Sequence, residues 1–299
     1  MKLHKISEIH EVGVKGRGVR VAVLDSGIDP THEVFSDAKI VKEATSYTRD
    51  WRDRFGHGTS VSGIVHKVAP EAEIVSIKVL DDEGYGSLAS VLEGIEKAVS
   101  HGCHVINMSL GGFPALISPL CTVLLVIEPI TVAVCAAGNS GPKPYTVSNP
   151  AHCSAAIAVG SASAIYKIGD PAWFSSRGPA PTGIVKPDVM SFGGYGDLKG
   201  IHQPIERIIL PSIEGRNAEA RGTSFASPFI AGSMALAIQF LGRIPSRGEI
   251  EYALDIMSYD VGRPGKDNDT GYGVFQANRV RLLPRKPRLL ELLRKAFIY

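Results

Sequence analysis

Gly222-Thr223-Ser224-Phe225-Ala226-Ser227-Pro228 is the stretch that decides the fold of this 299-residue chain. It places a serine between small residues, and a long apolar run follows from Phe229 to Leu241. This pattern predicts a loop that delivers Ser224 to the first turn of a buried helix. Backbone N–H groups at a helix N-terminus lack partners within the helix and carry partial positive charge, so they can stabilise an oxyanion. Ser224 is therefore a candidate nucleophile, or else an ordinary N-cap.

Two earlier positions carry the groups that activate a serine. Asp25 follows the β-rich run 19–24, and functional groups gather at the carboxyl ends of strands in a parallel α/β sheet. His57 stands between two glycines, at the start of a run of small residues that favours a helix packed on the sheet. The alternatives are a simple Asp-Ser-Gly turn at Asp25 and a surface histidine at His57.

Asn139 is the fourth candidate, since it follows the apolar run 130–135 just as Asp25 follows its strand. Its amide NH2 group would point into a cleft, although Asn-Ser-Gly is also common turn chemistry. The four residue types form one reaction centre. A histidine base removes the serine proton, and a buried carboxylate fixes the imidazole tautomer. The amide and the Ser224 backbone N–H then hold the oxyanion.

Strands and helices alternate along the chain, which predicts an α/β fold with a mostly parallel central sheet. The predicted strands cover 19–24, 74–80, 105–109, 130–135 and 155–160, and the predicted helices cover 88–100, 116–128, 246–257 and the run after Ser224. Residues 193–221 are polar and are expected to be irregular.

Seven short motifs give the chain a resemblance to the subtilisin-like serine proteases of the subtilase family. In one-letter code they are VAVLDSGID (21–29), GHGT (56–59), INMSLGG (106–112), AAGNSG (136–141), FSSRGP (174–179), KPDV (186–189) and GTSFASP (222–228). These motifs occur in the same order as in the family, and the three reactive residues occur in the family's order, which is Asp, His, Ser. The similarity runs from about Ile6 to Val280. The resemblance implies a three-layer subtilisin-like fold over residues 1–280, with helices on both faces of the central sheet. It also implies a serine endopeptidase that hydrolyses peptide bonds through an acyl-enzyme.

The same resemblance assigns roles to residues. It implies a triad of Asp25, His57 and Ser224. Asn139 and the backbone N–H of that serine would form the oxyanion hole. Two backbone edges would sandwich an extended polypeptide substrate, and a pocket with small walls would accept an apolar side chain. The implied substrate-binding residues are Gly84, Tyr85, Gly86, Leu110, Gly111, Gly112, Ala136, Ala137, Gly138 and Ser148.

The chain departs from the family pattern at the positions that bind calcium in subtilisins. Subtilisins commonly bind calcium through an Asp aligned with Val34 and through an Asn-rich loop, but residues 64–70 run straight on without that loop. Because calcium needs several oxygen ligands, we expect the strong calcium site to be absent and the protein to use no metal or other cofactor. The stretch 267–273 lacks EF-hand spacing and is interpreted as a turn. The acids Asp53 and 81–83 would favour basic side chains at neighbouring subsites.

Composition limits the remaining classes of function. A hydrophobic content of 44% with 32 Gly and 19 Pro fits a globular protein with many turns, and a net charge of +2 argues against general nucleic-acid binding. The uncharged stretch 105–127 is broken by Gly and Pro, so no transmembrane segment is expected. Without a signal peptide the protein is expected to be cytoplasmic. No CxxC motif and no histidine pair with zinc-finger spacing is present. Reduced, structural cysteines are therefore expected rather than a disulfide or a metal site: Cys103, Cys121, Cys135 and Cys153.

The two ends of the chain bear on how the proteolytic activity would be restrained. Only 24 residues precede Asp25, so no N-terminal prosegment is expected. Residues 281–299 form a basic amphipathic tail, which is either an ordinary docked helix or a site for autoinhibition, a separate inhibitor, a docking partner or an anionic membrane. Two other functions stay open. One is a peptide-maturation protease or macrocyclase, in which an amine replaces water, and the other is a non-catalytic peptide-binding module.

Overall fold

The computed structural model describes residues 5–201 and 204–283. Its strands are β1 (Arg20–Asp25), β2 (Lys39–Ala44), β3 (Glu73–Lys78), β4 (Val105–Met108), β5 (Val132–Ala136), β6 (Ala156–Ala162), β7 (Val189–Phe192), β8 (Ile208–Pro211), β9 (Asn217–Ala220), β10 (Ser258–Tyr259) and β11 (Val274–Phe275). Nine of them form one sheet in the order β10-β11-β7-β6-β5-β4-β1-β3-β2, while β8 and β9 form a separate hairpin. Neighbours in the large sheet are parallel except β10 and β11. The predicted mostly parallel sheet is confirmed.

Helices cover both faces of this sheet. They are α1 (Ile6–His10), α2 (His57–Val68), α3 (Leu88–Ser100), α4 (Pro119–Ile127), α5 (Thr223–Leu241) and α6 (Arg247–Met257). Successive side chains of a strand point to opposite faces, so β1 serves both layers. Val21 and Val23 pack with α2 and α5, whereas Ala22 and Leu24 pack with α3 and α4. The result is the three-layer α/β architecture that the family resemblance implies.

The register of the parallel strands brings three strand ends to one edge of the sheet. Leu24 of β1 lies beside Met108 of β4, and Met108 lies beside Cys135 of β5. The residues that follow these positions therefore leave the sheet side by side. Asp25 and Ala136 stand there, at the same edge where α2 and α5 begin.

The helix α5 crosses the centre of the molecule. Of its 19 residues, 14 are buried, and Gly232 allows a close crossing with α2, because a Cβ there would lie 2.7 Å from the Cβ of Val68. Within the described chain it is the one helix long and apolar enough to cross a membrane, but 72% of that window is buried inside the protein. Each large apolar side chain buried here contributes roughly 1.5–3 kcal/mol. This helix is the core of the fold.

Two expectations from the sequence are corrected by the structure. Residues 193–221 are not wholly irregular, since they contain the hairpin of β8 and β9. Its first strand is a short apolar run in which Ile209 is exposed, and its second strand is polar and mostly exposed. The cysteines are not all reduced, because Cys121 of α4 and Cys153 form a disulfide with a Cα–Cα distance of 5.0 Å. Cys103 and Cys135 are free and buried, as predicted.

The C-terminal tail lies mostly outside the described residues. Of the predicted segment 281–299, the structure describes 281–283. Leu283 is only 7% exposed and belongs to the apolar layer that contains α5. A truncation that spares the folded domain should therefore begin after Leu283.

Candidate active site

The Asp25 carboxylate and the His57 ring form a hydrogen-bonded pair where β1 ends and α2 begins. His57 Nδ1 lies 2.7 Å from Asp25 Oδ1. Asp25 is fully buried, while the His57 side chain is 19% exposed. The two residues meet because Gly58 has no side chain, since a Cβ there would lie 2.2 Å from the carbonyl oxygen of Gly27. A carboxylate only accepts, so Nδ1 carries the proton and the neutral ring keeps its lone pair on Nε2.

The turn before His57 is held by a second buried carboxylate, Asp53. Asp53 Oδ1 accepts hydrogen bonds from Ser26 Oγ and from the backbone N–H groups of Phe55 and Gly56. Its Oδ2 accepts from the backbone and hydroxyl of Thr59, in the first turn of α2. Asp53 is 6% exposed and faces inward, so the expectation that it selects basic substrate side chains is wrong. Its role in fixing the His57 turn was not predicted, although an acid four residues before the histidine was a usable signal.

The pKa of His57 reflects these surroundings. Burial lowers the pKa, but the charge of Asp25, the hydrogen bond to Asp25 and the charge of Asp53 raise it by more. The pKa of His57 therefore lies above its usual value of 6.5. A base with a raised pKa accepts a proton more readily than an ordinary histidine does.

Ser224 is the second residue of α5, as the sequence predicts. Its hydroxyl donates to the carbonyl oxygen of Ser109 at 3.2 Å, and the hydroxyl of Ser109 donates to the Ser224 carbonyl at 2.7 Å. The second bond has a local cause: Pro228 has no N–H, so the Ser224 carbonyl lacks its usual partner four residues on. Ser109 thus ties the end of β4 to the start of α5.

The His57 ring lies beside the start of α5. It packs against the ring of Phe225, the residue after Ser224, with 5.2 Å between ring centroids. In the described chain His57 and Ser224 are not directly hydrogen-bonded, because the serine hydroxyl points to Ser109. Catalytic hydrogen bonds are often loose without substrate and tighten in the complex.

Asn139 follows β5 and lies against the same helix terminus. Its Oδ1 accepts hydrogen bonds from the backbone N–H of Thr223 at 3.0 Å and from the Thr223 hydroxyl at 3.1 Å. Both bonds use the oxygen, so the orientation of the amide is fixed and its NH2 group remains available as a donor. A Cβ on Gly222 would lie 3.4 Å from Asn139 Nδ2, which shows how closely the amide approaches the loop before Ser224.

A cleft runs from His57 across the sheet edge. Two predicted backbone segments line it: Gly84–Gly86 and Leu110–Gly112. The other lining residues are Phe55, His57, Leu80, Ser87, Leu88, Val91, Ser109, Leu120 and Asn149. The structure therefore brings six of the predicted substrate-binding residues into one groove with the histidine. Phe55, Leu88, Val91 and Leu120 are apolar lining residues that the sequence did not single out.

Ser148 connects the remaining predicted residues to this cleft. Its hydroxyl donates to the carbonyl oxygens of Ala136 at 3.3 Å and Ala137 at 3.1 Å. Cβ atoms built on Gly111 and Gly138 would lie 2.6 Å and 3.1 Å from Ser148 Oγ. Ser148 thus lies between the end of β5 and the Leu110–Gly112 segment. Its role at the base of a side-chain pocket stays a prediction.

Comparisons with known proteins agree with this geometry. The sequence model described as the Subtilase family matches residues 16–273. The chain is 35% identical over 285 residues to the thermostable alkaline protease of Halalkalibacterium halodurans, covering 91% of this chain and 70% of that protein. It is 34% identical over 252 residues to subtilisin E of Bacillus subtilis, covering 78% of this chain and 59% of that protein.

One further relative is much longer than this chain, and one solved structure has a similar fold. The minor extracellular protease Epr of Bacillus subtilis is 31% identical over 284 residues, which is 91% of this chain but 40% of Epr. The chain thus spans less than half of that relative. The solved structure titled "Crystal Structure of a Lanthipeptide Protease" superposes with a TM-score of 0.76 at 23% identity, covering 92% of this chain and 91% of the other. That likeness shows the shared fold.

Proposed function

The chain belongs to the subtilase family of serine proteases, and from that premise we propose that Asp25, His57 and Ser224 are its catalytic residues. The reaction is hydrolysis of peptide bonds in a polypeptide, through an acyl-enzyme on Ser224. The observation that carries the proposal is the 2.7 Å contact between His57 Nδ1 and Asp25 Oδ1 beside the N-terminus of α5.

The position of the proton on His57, beside Asp25, supports this assignment. With Nδ1 protonated and directed at Asp25, His57 Nε2 is the free base that removes the Ser224 hydroxyl proton as Oγ attacks the peptide carbonyl. Asp25 stabilises the imidazolium that forms. The same proton then moves to the leaving amine, and water repeats the cycle to release the acyl group.

Asn139 and the start of α5 complete the proposed oxyanion hole. The Thr223 N–H and hydroxyl hold Asn139 Oδ1, which leaves its NH2 group to donate to the developing oxyanion. The backbone N–H of Ser224 is the second donor, because it lies in the first turn of α5, where N–H groups have no partner within the helix.

For the substrate, we propose an extended polypeptide with apolar side chains on the acyl side of the cleaved bond. Main-chain hydrogen bonds to Gly84–Gly86 and Leu110–Gly112 would supply affinity independent of sequence. Leu88, Val91 and Leu120 make one end of the cleft apolar. The residues proposed as the walls of the side-chain pocket, next to Ser148, are the small residues 136–138. Digestion of a proteome-derived peptide library, read by mass spectrometry, tests this preference. Enrichment of acidic or basic side chains at these positions would contradict it.

The catalytic assignment is tested with a fluorophosphonate probe, which reacts with an activated serine. We expect one label per chain on the wild type and none on Ser224→Ala. The matched control is Ser233→Ala in the same helix, whose hydroxyl only bonds the carbonyl of Phe229, and this variant should label normally. Labelling that persists in Ser224→Ala would refute the assignment, and an unlabelled but folded wild type would favour the non-catalytic peptide-binding module.

Peptide maturation or macrocyclisation is the second candidate. The likeness of fold to a lanthipeptide protease is compatible with it, because the same acyl-enzyme can transfer to an amine instead of water. Mass analysis of products in the presence of an added peptide amine separates the two. Hydrolysis products alone support the endopeptidase, whereas ligated or cyclic products support transpeptidation.

We also propose that the protein needs no tightly bound calcium. The helix α2 ends at Val68 and β3 begins at Glu73, so only residues 69–72 connect them. That connection is too short to supply the several oxygen ligands of a calcium loop. Excess EDTA is expected to lower Tm by less than about 2 °C, a change of roughly 1 kcal/mol or less. A fall of many degrees that added calcium reverses would contradict the proposal.

The cytoplasmic location and the tail stay predictions. In a reducing compartment the Cys121–Cys153 pair would be a dithiol, so the thiol state of protein isolated under alkylating conditions reports the location. An inhibitor or docking partner of the tail is tested by truncation after Leu283, which leaves the buried core in place. Unchanged activity and solubility would refute a regulatory tail.

A further inference from the structure

Three side chains with metal-binding atoms meet on the α4 side of the sheet, away from the proposed triad. They are Cys121, on α4, and the neighbours His152 and Cys153. Their two sulfurs and a ring nitrogen all lie within 4.8 Å of one another. His152 and Cys153 are each 2% exposed, and Cys121 is half-buried. The two cysteines form a disulfide in this structure, and the proposed protease mechanism uses none of the three residues.

The orientation of His152 is that of a metal ligand. Its Nδ1 faces the carbonyl oxygen of Ser148 at 3.4 Å. A carbonyl only accepts, so in the tautomer that satisfies this contact Nδ1 carries the proton and Nε2 carries the lone pair. That lone pair lies on the cysteine side, with Nε2 3.6 Å from Cys121 Sγ. Histidine ligands in metal sites usually donate their other N–H to a carbonyl or carboxylate in this way.

We propose that reduction of the Cys121–Cys153 disulfide creates a site for a thiophilic divalent cation, with zinc as the fitting ion. The ligands are the two thiolates and His152 Nε2, and water takes the fourth position of a tetrahedron. A dithiol reductant supplies two electrons and two protons to the S–S bond and becomes a cyclic disulfide. The incoming Zn²⁺ then displaces the two thiol protons, which pass to solvent.

The distances suit this change. Tetrahedral zinc with Zn–S bonds of about 2.3 Å and Zn–N bonds of about 2.0–2.1 Å separates sulfur from nitrogen by roughly 3.6 Å. His152 Nε2 and Cys121 Sγ already have this separation. The sulfurs must move apart to roughly 3.8 Å, and Cys121 is half-buried at the molecular surface, where its side chain has room to turn.

The other two cysteines do not compete for the ion. Burial raises the pKa of both Cys103 and Cys135 to about 12, so neither is a thiolate near neutral pH. Cys103 lies in the turn before β4, whereas Cys135 lies on β5 beside Met108. The site is therefore specific to one pair of thiols.

The site is coupled to the cleft through two adjacent residues. His152 bonds the carbonyl of Ser148, which underlies the proposed side-chain pocket. Asn149 exchanges backbone hydrogen bonds with Gly112, on the cleft edge, at 2.9 Å and 3.1 Å. Replacement of the disulfide by a bound metal ion should therefore alter KM for peptide substrates more than it alters kcat. This coupling rests on the proposed function, whereas metal binding does not.

The experiment is an anaerobic titration with Co²⁺, a spectroscopic substitute for zinc. Wild-type protein is reduced with a dithiol, freed of reductant and titrated with Co²⁺. We expect thiolate-to-cobalt charge-transfer bands that saturate at one ion per chain and are abolished by one equivalent of Zn²⁺. The unreduced protein is the matched control and should show no such bands. Absence of thiolate bands in the reduced protein would overturn the proposal.

Substitutions of the proposed ligands test where the metal ion binds. Cys121→Ser should lose the bands, and His152→Ala should weaken Co²⁺ binding at least tenfold. The double variant Cys103→Ala/Cys135→Ala keeps all three ligands and should bind normally. Bands of wild-type strength in Cys121→Ser would refute the assignment.

A measurement on the wild type guards against variants that fail to fold. Zn²⁺ should protect Cys121 and Cys153 of the reduced protein from iodoacetamide, by at least tenfold in rate. Equal alkylation with and without Zn²⁺ would also refute the site. Because neither measurement depends on proteolysis, failure of the metal site and failure of the protease assignment are distinguishable.

Discussion

The two segments that flank the cleft are fixed by different kinds of bond. Residues 53–57 are held by one buried carboxylate, Asp53, which accepts hydrogen bonds from Ser26, from its own turn and from the first turn of α2. Residues 148–153 are held by backbone hydrogen bonds to Gly112 and Ala137 and by a disulfide. The first arrangement fixes the orientation of a ring that must transfer protons. The second fixes a wall, whose shape matters more than its charge.

The largest effect should come from Asp25→Asn, on the carboxylate side. This variant preserves size but favours the wrong tautomer of His57, so kcat should fall about 10⁴-fold. Tm and circular dichroism serve as folding controls. A fall of less than tenfold would show that Asp25 does not orient the histidine.

The same variant tests the pH dependence. The active histidine is neutral, so activity is lost as the pH falls through its pKa, which in the wild type lies above 6.5 because of Asp25 and Asp53. Removing the Asp25 charge should move this acidic limb of kcat/KM to lower pH. An unmoved limb would assign it to another group.

Asn139→Ala should have the next largest effect, on the opposite side of the cleft. Loss of one oxyanion donor lowers kcat by about 10²–10³, and KM changes little because the oxyanion forms only after attack. The fluorophosphonate label on Ser224 should persist at a reduced rate. An increase in KM with an unchanged kcat would place Asn139 in substrate binding instead.

The third prediction concerns the disulfide. Cys121→Ala/Cys153→Ala should lower the free energy of unfolding by about 3–4 kcal/mol under oxidising conditions, as expected for a cross-link spanning 32 residues. Its kcat should stay within about twofold of the wild type, since the His57 side is untouched. In metal-free reducing buffer the wild type and variant should be almost equally stable. A loss that is as large in reducing buffer would mean that packing, not the cross-link, is responsible.

Asp53→Asn should have the smallest of these effects on stability, with a loss of about 2–3 kcal/mol, because an amide cannot accept all the bonds of a carboxylate. It should also lower kcat by at most about 10²-fold through misplacement of His57. The matched control is Asp37→Asn, an aspartate with a 76% exposed side chain and one histidine contact, which should leave stability almost unchanged because solvent screens an exposed contact. If Asp53→Asn leaves kcat intact while the disulfide variant lowers it, the contrast between the two segments is wrong.

The sequence predicts the central layers well, for a clear physical reason. Strands β1, β3, β4, β5 and β6 are buried on both faces and read as continuous apolar runs, and α3 has a regular helical period. The edge strand β2 and the hairpin strand β9 are partly or fully exposed and rich in polar residues, so their composition resembles that of loops. The hairpin strand β8 is apolar but only four residues long.

Within the site, the motifs identify residues whose backbone position is fixed by the sheet. Asp25, His57, Asn139 and Ser224 all follow strands or begin helices, and parallel register brings them to one edge. The sequence does not reveal which distant groups support them. The inward direction of Asp53 and the pairing of Cys121 with Cys153 depend on tertiary proximity, which spacing along the chain does not encode.

Because Ser224 lies on α5, the reactivity of this serine reports whether the domain is folded. The helix that carries the reactive hydroxyl is also the one that fills the core, so Ser224 cannot keep its position when the core opens. Regions with many buried apolar contacts open only with the whole molecule. The fraction of chains that react with an active-site probe after partial denaturation should therefore count native molecules, and recovery of labelling should follow refolding of the entire domain.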